Sequence, residues 1–213
     1  MVLWRHGRTA WNATGRLQGQ ADIPLDDFGR QQVGPAATAL ATAFPGAPII
    51  ASDLTRAWES AQVLGRASGI TPIVEPRLRE RSFGKWEGLA RDEIASQWPE
   101  LFSAWQHGSD TITRPPEGES RGEVGRRVAE AIREHAALVP SDEILLVVSH
   151  GAAITAAITA LIGEDPDTWR GITGLDNANW SVLVPASHDD NGWRLTGHNL
   201  GATPLRLVDI FGA

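Results

Sequence analysis

The chain contains no cysteine among its 213 residues and only one lysine, Lys85. Without thiols it can form no disulfide bond, bind no metal through cysteine and use no thiolate nucleophile, which excludes the cysteine-dependent phosphatases. Almost all positive charge is therefore arginine, and each arginine has to be argued from its position. The formal net charge of −7 disfavours nucleic-acid and membrane partners, since both require a basic face.

Long hydrophobic runs are also missing. No apolar stretch approaches the roughly 20 residues that span a bilayer. Arg5 interrupts the first apolar run too early for a signal peptide, so we expect a cytoplasmic protein. Hydrophobic residues make up 42% and charged residues 21%, which is ordinary for a globular chain. The length suits one domain covering residues 1–213.

Short apolar runs alternate with stretches of helical periodicity, which predicts the α/β class. The predicted strands cover residues 1–5, 49–51, 73–75, 144–149, 179–184 and 193–196, with a turn at 189–192. The predicted helices cover 27–44 (with Pro35 as a kink or a late start), 52 or 53 to about 68 (capped by Ser52 or Asp53), 120–138 and 151–162. Between residues 83 and 118 short helical pieces and three tryptophans replace the regular pattern. We interpret this segment as a helical lid over the strand ends.

Two histidines mark the ends of predicted strands. His6 follows the first strand and His150 follows the strand at 144–149, and a glycine comes after each histidine. Ligands bind at the carboxyl ends of the strands of an open parallel sheet, so both imidazoles are expected to face one crevice. One could attack phosphorus while the other, with arginines, holds the phosphoryl oxygens. The alternative is two surface histidines.

Charged groups follow the other predicted strands at the same edge. Arg5 ends the first strand, and Arg56 lies one turn into the helix that follows the second strand. Arg79 and Glu80 follow the third strand. Helix N-termini there would add backbone N–H groups and positive dipole ends. The pattern predicts an anion site with one carboxylate at its rim. Alternatively, Arg56 could be solvated on its helix and Glu80 could pair with Arg79.

Six sequence blocks in order resemble the histidine phosphatase superfamily, in its phosphoglycerate mutase-like branch. They are Arg5-His6-Gly7 with Thr9, Trp11-Asn12 and residues 15–19; residues 51–57; Leu78-Arg79-Glu80; residues 83–88; Pro116 with Gly118-Glu119-Ser120; and residues 148–151. The resemblance implies a three-layer α/β/α fold with a mostly parallel central sheet. More loosely, the C-terminal part resembles phosphatases acting on glucosyl-3-phosphoglycerate and broad-specificity bacterial phosphatases.

The resemblance also implies a mechanism. His6 would be the nucleophile that becomes phosphohistidine, and Glu80 would protonate the leaving oxygen and later deprotonate water. The phosphate-binding residues that it implies are Arg5, Asn12, Gln18, Arg56 and His150. Of these, Arg5, Arg56 and His150 would also be catalytic, and no metal or other cofactor would be needed. The expected enzyme is a phosphomonoesterase of the histidine acid phosphatase type that acts on a small phosphorylated metabolite, with a homodimer as a possible assembly.

Two functional alternatives remain open. One is a cofactor-dependent phosphoglycerate mutase, although Gln18-Gly19-Gln20 stands where those enzymes have Ser-Gly-Trp and Arg114 stands where they have an arginine pair. The other is a phospho-ligand binding module without catalysis, which would be expected to lack His6 or Glu80.

Two further motifs are interpreted as structural. Residues 118–122 match the serine-hydrolase pattern Gly-x-Ser-x-Gly, but prolines precede them where that motif needs a buried strand. We interpret Ser120 as a helix cap that forms a capping box with Glu123. Asp165-Pro166-Asp167 resembles an aspartate-phosphatase pair, but it follows a helix and is expected to be a loop.

Overall fold

The computed structural model describes residues 1–107, 114–186 and 192–202. Within these ranges the strands are β1 Val2–Arg5, β2 Ile49–Ala51, β3 Ile73–Val74, β4 Leu146–Ser149, β5 Trp180–Pro185 and β6 Trp193–Leu200. The helices are α1 Ala10–Ala13, α2 Asp27–Ala43, α3 Thr55–Ser68, α4 Arg91–Gln97, α5 Pro99–His107, α6 Arg121–Ala136 and α7 Gly151–Leu161, with 3₁₀ turns at Pro76–Leu78 and Gly84–Trp86. No helix in these ranges is long and apolar enough to cross a membrane.

The strands form one sheet in the order β3-β2-β4-β1-β5-β6. The pairs β2–β3, β2–β4 and β1–β4 are parallel, whereas β1–β5 and β5–β6 are antiparallel. The predicted α/β class and the mostly parallel sheet are therefore confirmed. Strand β4, the predicted central strand, lies between β2 and β1. The carboxyl ends of these three parallel strands therefore lie side by side.

Helices cover both faces of the sheet because successive strand residues point to opposite sides. Leu3 and Val147 belong to the core that contains Val128 of α6 and Ile154 of α7. Their neighbours in the strands, Trp4 and Val148, belong to a second core formed with α2 and α3. Each fully buried aliphatic side chain contributes roughly 1.5–3 kcal/mol to folding. The two cores make the three layers that were expected.

Several predicted boundaries are corrected. Helix α2 starts at Asp27 as predicted and not late at Pro35, because the Asp26 carboxylate accepts the Gly29 N–H at 2.6 Å and caps the helix there. Helix α3 begins at Thr55 with Leu54 as its N-cap and no side-chain cap, so the predicted Ser52 or Asp53 cap was wrong. Helices α2, α6 and α7 and strands β1, β3, β4 and β5 differ from prediction by one or two residues at one or both ends, and β6 continues four residues further. Of the predicted turn at 189–192, residues 189–191 lie outside the described residues.

The segment from residue 83 to 118, of which 108–113 lie outside the described residues, has its own small core. Phe83, Trp86, Ile94 and Phe102 are buried together, with Trp98 and Trp105 packed against them. Ala152, in the first turn of α7, also contacts this cluster. The segment therefore packs next to the carboxyl end of β4.

Candidate active site

The two histidines lie side by side at the ends of neighbouring strands. In the β1–β4 register Arg5 is opposite Ser149, so His6 and His150 leave the sheet together, and His6 N donates to the Ser149 carbonyl at 3.1 Å. Their ring centroids are 5.1 Å apart with an interplanar angle of 61°. Both side chains are buried, which contradicts the alternative of two surface histidines.

The His6 ring has a fixed orientation and tautomer. Its Nδ1 lies 2.7 Å from the Gly7 carbonyl oxygen, which can only accept, so we assign the hydrogen to Nδ1 and a free lone pair to Nε2. Gly7 is required because a Cβ there would lie 2.6 Å from the Gly29 carbonyl of α2. Burial, with added repulsion from Arg56 and Arg5, lowers the pKa of His6 well below 6.5. The ring is therefore neutral at physiological pH, with a lone pair on Nε2.

The tautomer of His150 is set by Ser52, which bonds its Nε2 rather than its Nδ1. His150 Nε2 lies 2.8 Å from Ser52 Oγ, which already accepts the Leu54 N–H at 3.3 Å. Among the described residues Ser52 Oγ has no other acceptor for its hydrogen, so we assign the hydroxyl as the donor to Nε2 and the ring hydrogen to Nδ1. His150 Nδ1 is buried and has no partner among the described residues. Burial, with repulsion from Arg56 and His6, lowers the pKa of His150 well below 6.5, so this ring is a neutral donor.

Two arginines, the buried Arg56 and the partly buried Arg5, each have one edge of the guanidinium held by backbone carbonyls. Arg56 donates from Nη1 to Ala21 and from Nη2 to Gly19, each at 2.8 Å, and Arg5 Nη1 donates to the Leu175 carbonyl. The Nε atoms of Arg5 and Arg56 are buried without a partner in the described ranges. Burial lowers the pKa of Arg56 to about 10, so Arg56 stays charged at neutral pH, and burial also lowers the pKa of Arg5.

The amide groups of Asn12 and Gln18 are oriented by their oxygens. Asn12 Oδ1 accepts the Thr9 N–H at 3.1 Å and the Asn177 side-chain N–H at 3.2 Å. Gln18 Oε1 accepts from the Thr9 hydroxyl at 2.9 Å. With the oxygens occupied, both NH₂ groups are available as donors, and both side chains line the same cavity as His6.

The carboxylate of Glu80 contacts the first turn of helix α7. Its Oε1 accepts the Ala153 N–H at 2.7 Å and the Arg81 N–H at 2.8 Å, and its Oε2 accepts the Ala152 N–H at 3.1 Å. Its alternative partner, Arg79, instead forms a bidentate pair with Asp53 at 2.5 and 2.8 Å, so the surface-pair interpretation was wrong.

Arg127 of α6 holds the backbone that carries Glu80. Its Nη1 donates to the carbonyls of Arg77 at 2.7 Å and Arg79 at 3.1 Å, and its Nη2 donates to that of Glu80 at 3.4 Å. The guanidinium is itself held by both carboxylate oxygens of Glu119, at 2.7 and 2.9 Å. Glu80 is therefore positioned from both the backbone and the carboxylate side.

These groups surround a cavity of about 740 Å³. Six of the seven predicted site residues line it, namely Arg5, His6, Asn12, Gln18, Arg56 and Glu80. His150 lies against His6 and does not itself line the cavity. The other walls come from the 83–118 segment, through Phe83, Arg91, Trp105 and Gln106, and from Arg81, Arg121, Asp167 and Arg170 among others.

Sequence reasoning missed four side chains in or around the site, namely Ser52, Arg127, Arg81 and Arg121. Ser52 was predicted as a helix cap, whereas its hydroxyl bonds His150. Arg127 lies on a helix that carried no predicted function, and neither Arg81 nor Arg121 was singled out although both line the cavity. Arg81 is next to Glu80 in the sequence, and this position could have indicated it. Arg121 and Arg127 belong to no local motif.

The two secondary motifs are structural, as predicted. Ser120 Oγ accepts the Glu123 N–H at 3.1 Å and Glu123 Oε2 accepts the Ser120 N–H at 2.8 Å, which is a capping box. Asp165 and Asp167 lie in a loop, and the buried Asp167 carboxylate accepts the Gly122 N–H at 2.7 Å. Among the described residues, no group of three or more histidine, aspartate or glutamate side chains is arranged to hold a metal ion.

Comparison with known proteins gives a consistent result. The family model of the histidine phosphatase superfamily, branch 1, matches residues 1–201. A glucosyl-3-phosphoglycerate phosphatase of Mycolicibacterium vanbaalenii is 36% identical over 216 residues, covering 95% of each chain. A Yersinia pestis protein named "Probable phosphoglycerate mutase GpmB" is 35% identical over 198 residues, covering 92% of this chain and 88% of its own.

Solved structures give the same picture. The mycobacterial glucosyl-3-phosphoglycerate phosphatase in complex with VO3 superposes with a TM-score of 0.85 at 35% identity, covering 94% of this chain and 98% of its own. The mycobacterial enzyme in complex with inorganic phosphate superposes with a TM-score of 0.84 at 33% identity, covering 95% and 97%.

Proposed function

The chain belongs to the histidine phosphatase superfamily, and we propose that it is a phosphomonoester hydrolase that acts through phosphohistidine on a small phosphorylated metabolite. One observation carries the proposal. A buried imidazole with a free Nε2 lone pair lines the same cavity as two clamped arginines, and the neighbouring His150 ring adds a third buried donor, Nδ1. The mycobacterial relative has been solved with VO3 and with inorganic phosphate, which supports an oxyanion as a ligand of this chain.

The first step transfers the phosphoryl group to His6. The Nε2 lone pair forms a bond to phosphorus while the ester P–O bond breaks on the opposite side. Arg5, Arg56 and His150 donate to the equatorial oxygens, and each well-placed donor of this kind contributes about 10²–10³-fold. Glu80, protonated at this stage, gives its proton to the departing alkoxide.

The second step releases phosphate. Glu80, now a carboxylate, takes a proton from a water molecule that attacks phosphorus, and the N–P bond breaks with its electrons returning to His6 Nε2. The cycle ends with neutral His6, protonated Glu80, the alcohol and inorganic phosphate, so atoms and charges balance. The Ala152 and Ala153 N–H groups, which bind Glu80 in its charged form, would stabilise this carboxylate.

No step uses a metal, because the arginines supply the positive charge. We further propose that activity extends into the acidic range, as in acid phosphatases, because the pKa of His6 is lowered well below 6.5 and the nucleophile stays neutral there. The substrate named for the relatives, glucosyl-3-phosphoglycerate, is the first to be tested. Cytoplasmic residence, a homodimer, a single domain over residues 1–213 and the role of residues 83–118 as a lid stay predictions.

The mutase alternative is favoured by the names of some relatives, among them the Yersinia pestis protein. Arg114, which stands where mutases have an arginine pair, instead forms an ion pair with Glu123 at 2.5 Å and does not line the cavity. This geometry supports hydrolysis over retention of a phosphoglycerate.

The experiment is hydrolysis of p-nitrophenyl phosphate in EDTA by the wild type and by His6→Ala. We expect metal-independent turnover that His6→Ala abolishes and that a matched control, His198→Ala on β6, leaves intact. Phosphate on His6, detected by mass spectrometry after alkaline quench, is the expected intermediate. Turnover that survives His6→Ala or stops in EDTA would overturn the proposal. Formation of 2-phosphoglycerate from 3-phosphoglycerate with 2,3-bisphosphoglycerate would favour the mutase.

A further inference from the structure

The loop that leads into β5 runs alongside the end of β1. Because β1 and β5 are antiparallel, the residues that precede β5 lie beside those that follow β1. Backbone hydrogen bonds continue this pairing, since the Arg5 N–H donates to the Asn179 carbonyl at 2.9 Å and the Ala178 N–H donates to the His6 carbonyl at 3.1 Å. The antiparallel side of the sheet therefore places a second loop, residues 175–179, against the histidine.

The side chain of Asn177, in this loop, reaches two residues of the site. Its Nδ2 donates to the His6 carbonyl at 3.3 Å and to Asn12 Oδ1 at 3.2 Å, which uses both hydrogens of the amide. Asn177 is partly buried. The His6 carbonyl keeps a second donor in the Ala178 N–H, so the bond to Asn12 is the one that no other group of the loop supplies.

Backbone groups fix the orientation of both amides, because each can play only one role in a hydrogen bond. The Thr9 N–H can only donate, so the Asn12 atom that lies 3.1 Å from it is Oδ1. The His6 carbonyl can only accept, so the Asn177 atom beside it is Nδ2. The two assignments agree, since an N–H of Asn177 then meets the oxygen of Asn12. Asn12 Nδ2 is thus turned away from both neighbours and is available in the cavity that Asn12 lines.

We propose that Asn177 is a positioning residue that keeps the amide nitrogen of Asn12, rather than its oxygen, directed at the bound phosphate. The inference rests on the proposed function, with Asn12 as one of its phosphate-binding residues. Packing alone cannot select the orientation, because rotating an asparagine amide by half a turn exchanges oxygen and nitrogen and leaves its volume unchanged. The reversed amide would place Oδ1 against a phosphoryl oxygen, so a hydrogen bond would become a repulsion.

The test compares two substitutions of Asn177 by the Kd for inorganic phosphate, measured by calorimetry. Asn177→Leu removes the donor, and because Thr9 still holds Asn12 Oδ1 we expect the Kd to rise only by roughly twofold to tenfold, the contribution of one neutral hydrogen bond. Asn177→Asp keeps the shape of the side chain but sets an acceptor against Asn12 Oδ1, which favours the reversed amide. A hydrogen bond to a charged group contributes about 10- to 100-fold, and we expect the Kd to rise by that factor.

Asn179 provides matched controls on the same loop. It is also partly buried, and its Nδ2 donates to the carbonyl and to Oδ1 of Asn199 at 3.1 and 3.0 Å instead of to a site residue. Asn179→Leu controls for the loss of an amide from this loop, and Asn179→Asp controls for a negative charge added near the phosphate. We expect both variants to lose stability and to keep the wild-type Kd for phosphate.

A double-mutant comparison tests whether Asn177 acts through Asn12. In the Asn12→Ala background Asn177→Leu should not raise the Kd further, because the amide that it orients is gone. Asn177→Ala, which adds no bulk, gives the same comparison if the leucine variant does not fold.

The proposal would be overturned by a Kd that rises as much in Asn177→Leu as in Asn177→Asp, by an equal rise in Asn179→Asp, or by a loss that persists in the Asn12→Ala background. Any of these results, together with hydrolysis of p-nitrophenyl phosphate that depends on His6, would leave the proposed function standing. Binding of inorganic phosphate needs no turnover, so the role of Asn177 can be judged even if the proposed function fails.

Discussion

Replacing Ser52 with alanine tests whether the tautomer of His150 is set by its neighbour. The Ser52 hydroxyl bonds His150 Nε2 at 2.8 Å and both side chains are fully buried, so no water can take its place without rearrangement. In Ser52→Ala the hydrogen is no longer held on Nδ1, the nitrogen that has no other partner in the described ranges. The phosphate then loses a neutral donor for part of the time.

The geometry bounds the size of the effect. A single neutral hydrogen bond contributes about 0.5–1.5 kcal/mol, which sets a lower limit of roughly twofold to tenfold. Complete loss of one donor to the transition state costs about 10²–10³-fold, which sets the upper limit. We expect kcat of Ser52→Ala to fall by about 10- to 100-fold, with stability lowered by about 1–2 kcal/mol because Nε2 is left without its bond.

The assay is steady-state hydrolysis of p-nitrophenyl phosphate, combined with ¹⁵N chemical shifts of the His150 ring. The chain offers a matched control in Ser181→Ala, because Ser181 is also buried and bonds the ring of His198 at 2.9 Å, outside the cavity. This control should lose stability to a similar extent and keep its kcat.

A double-mutant cycle gives the sharpest result. If Ser52 acts through His150, the Ser52→Ala/His150→Ala protein should be no slower than His150→Ala alone. If the fold losses in kcat of the two single variants instead multiplied in the double variant, the reasoning would be refuted. A folded Ser52→Ala protein with wild-type kcat would refute it as well.

Two other predictions follow from the same geometry. The free energy of unfolding should fall as pH drops below about 6.5, by up to about 1.4 kcal/mol per pH unit for each of His6 and His150. The reason is that the two histidines bind protons in the unfolded chain but stay neutral when buried in the folded one. Urea titrations between pH 7.5 and 5.5 check this, and an equal dependence of stability on pH in the His6→Gln/His150→Gln protein would contradict it. Arg127→Met should lower kcat by about tenfold or more with little change in KM, since the general acid Glu80 is displaced while phosphate binding remains. Arg30→Met on α2 is the control. A rise in KM alone would show that Arg127 does not position Glu80.

The sequence allowed the centre of the site to be predicted because its residues follow strands. Periodicity located β1 and β4, and the rule that ligands bind at the carboxyl ends of parallel strands brought His6 and His150 together. Glu80 was predicted through a resemblance between sequence blocks rather than from spacing. The fixed tautomers follow from contacts of Gly7 and Ser52 that only coordinates reveal.

Other features could not be predicted because they depend on contacts between distant elements. Ser52 has the residue type and position of a helix cap, and only the approach of β4 gives its hydroxyl to His150 instead. Arg121 follows a capping serine in a sequence that specifies a helix start, and nothing local shows that this end of α6 borders the cavity. Pro35 suggested an interrupted helix, but the Asp26 cap upstream decided where α2 begins.

The parallel pairing of β1 with β4 has one more consequence. The imidazole pair exists only when Arg5 lies opposite Ser149, because a shift of one position would turn one ring towards the hydrophobic interior. Catalytic competence is thus tied to the same ladder that closes the middle of the sheet, and it cannot precede that closure during folding. Recovery of turnover after dilution from denaturant should therefore report the completion of the sheet rather than early collapse.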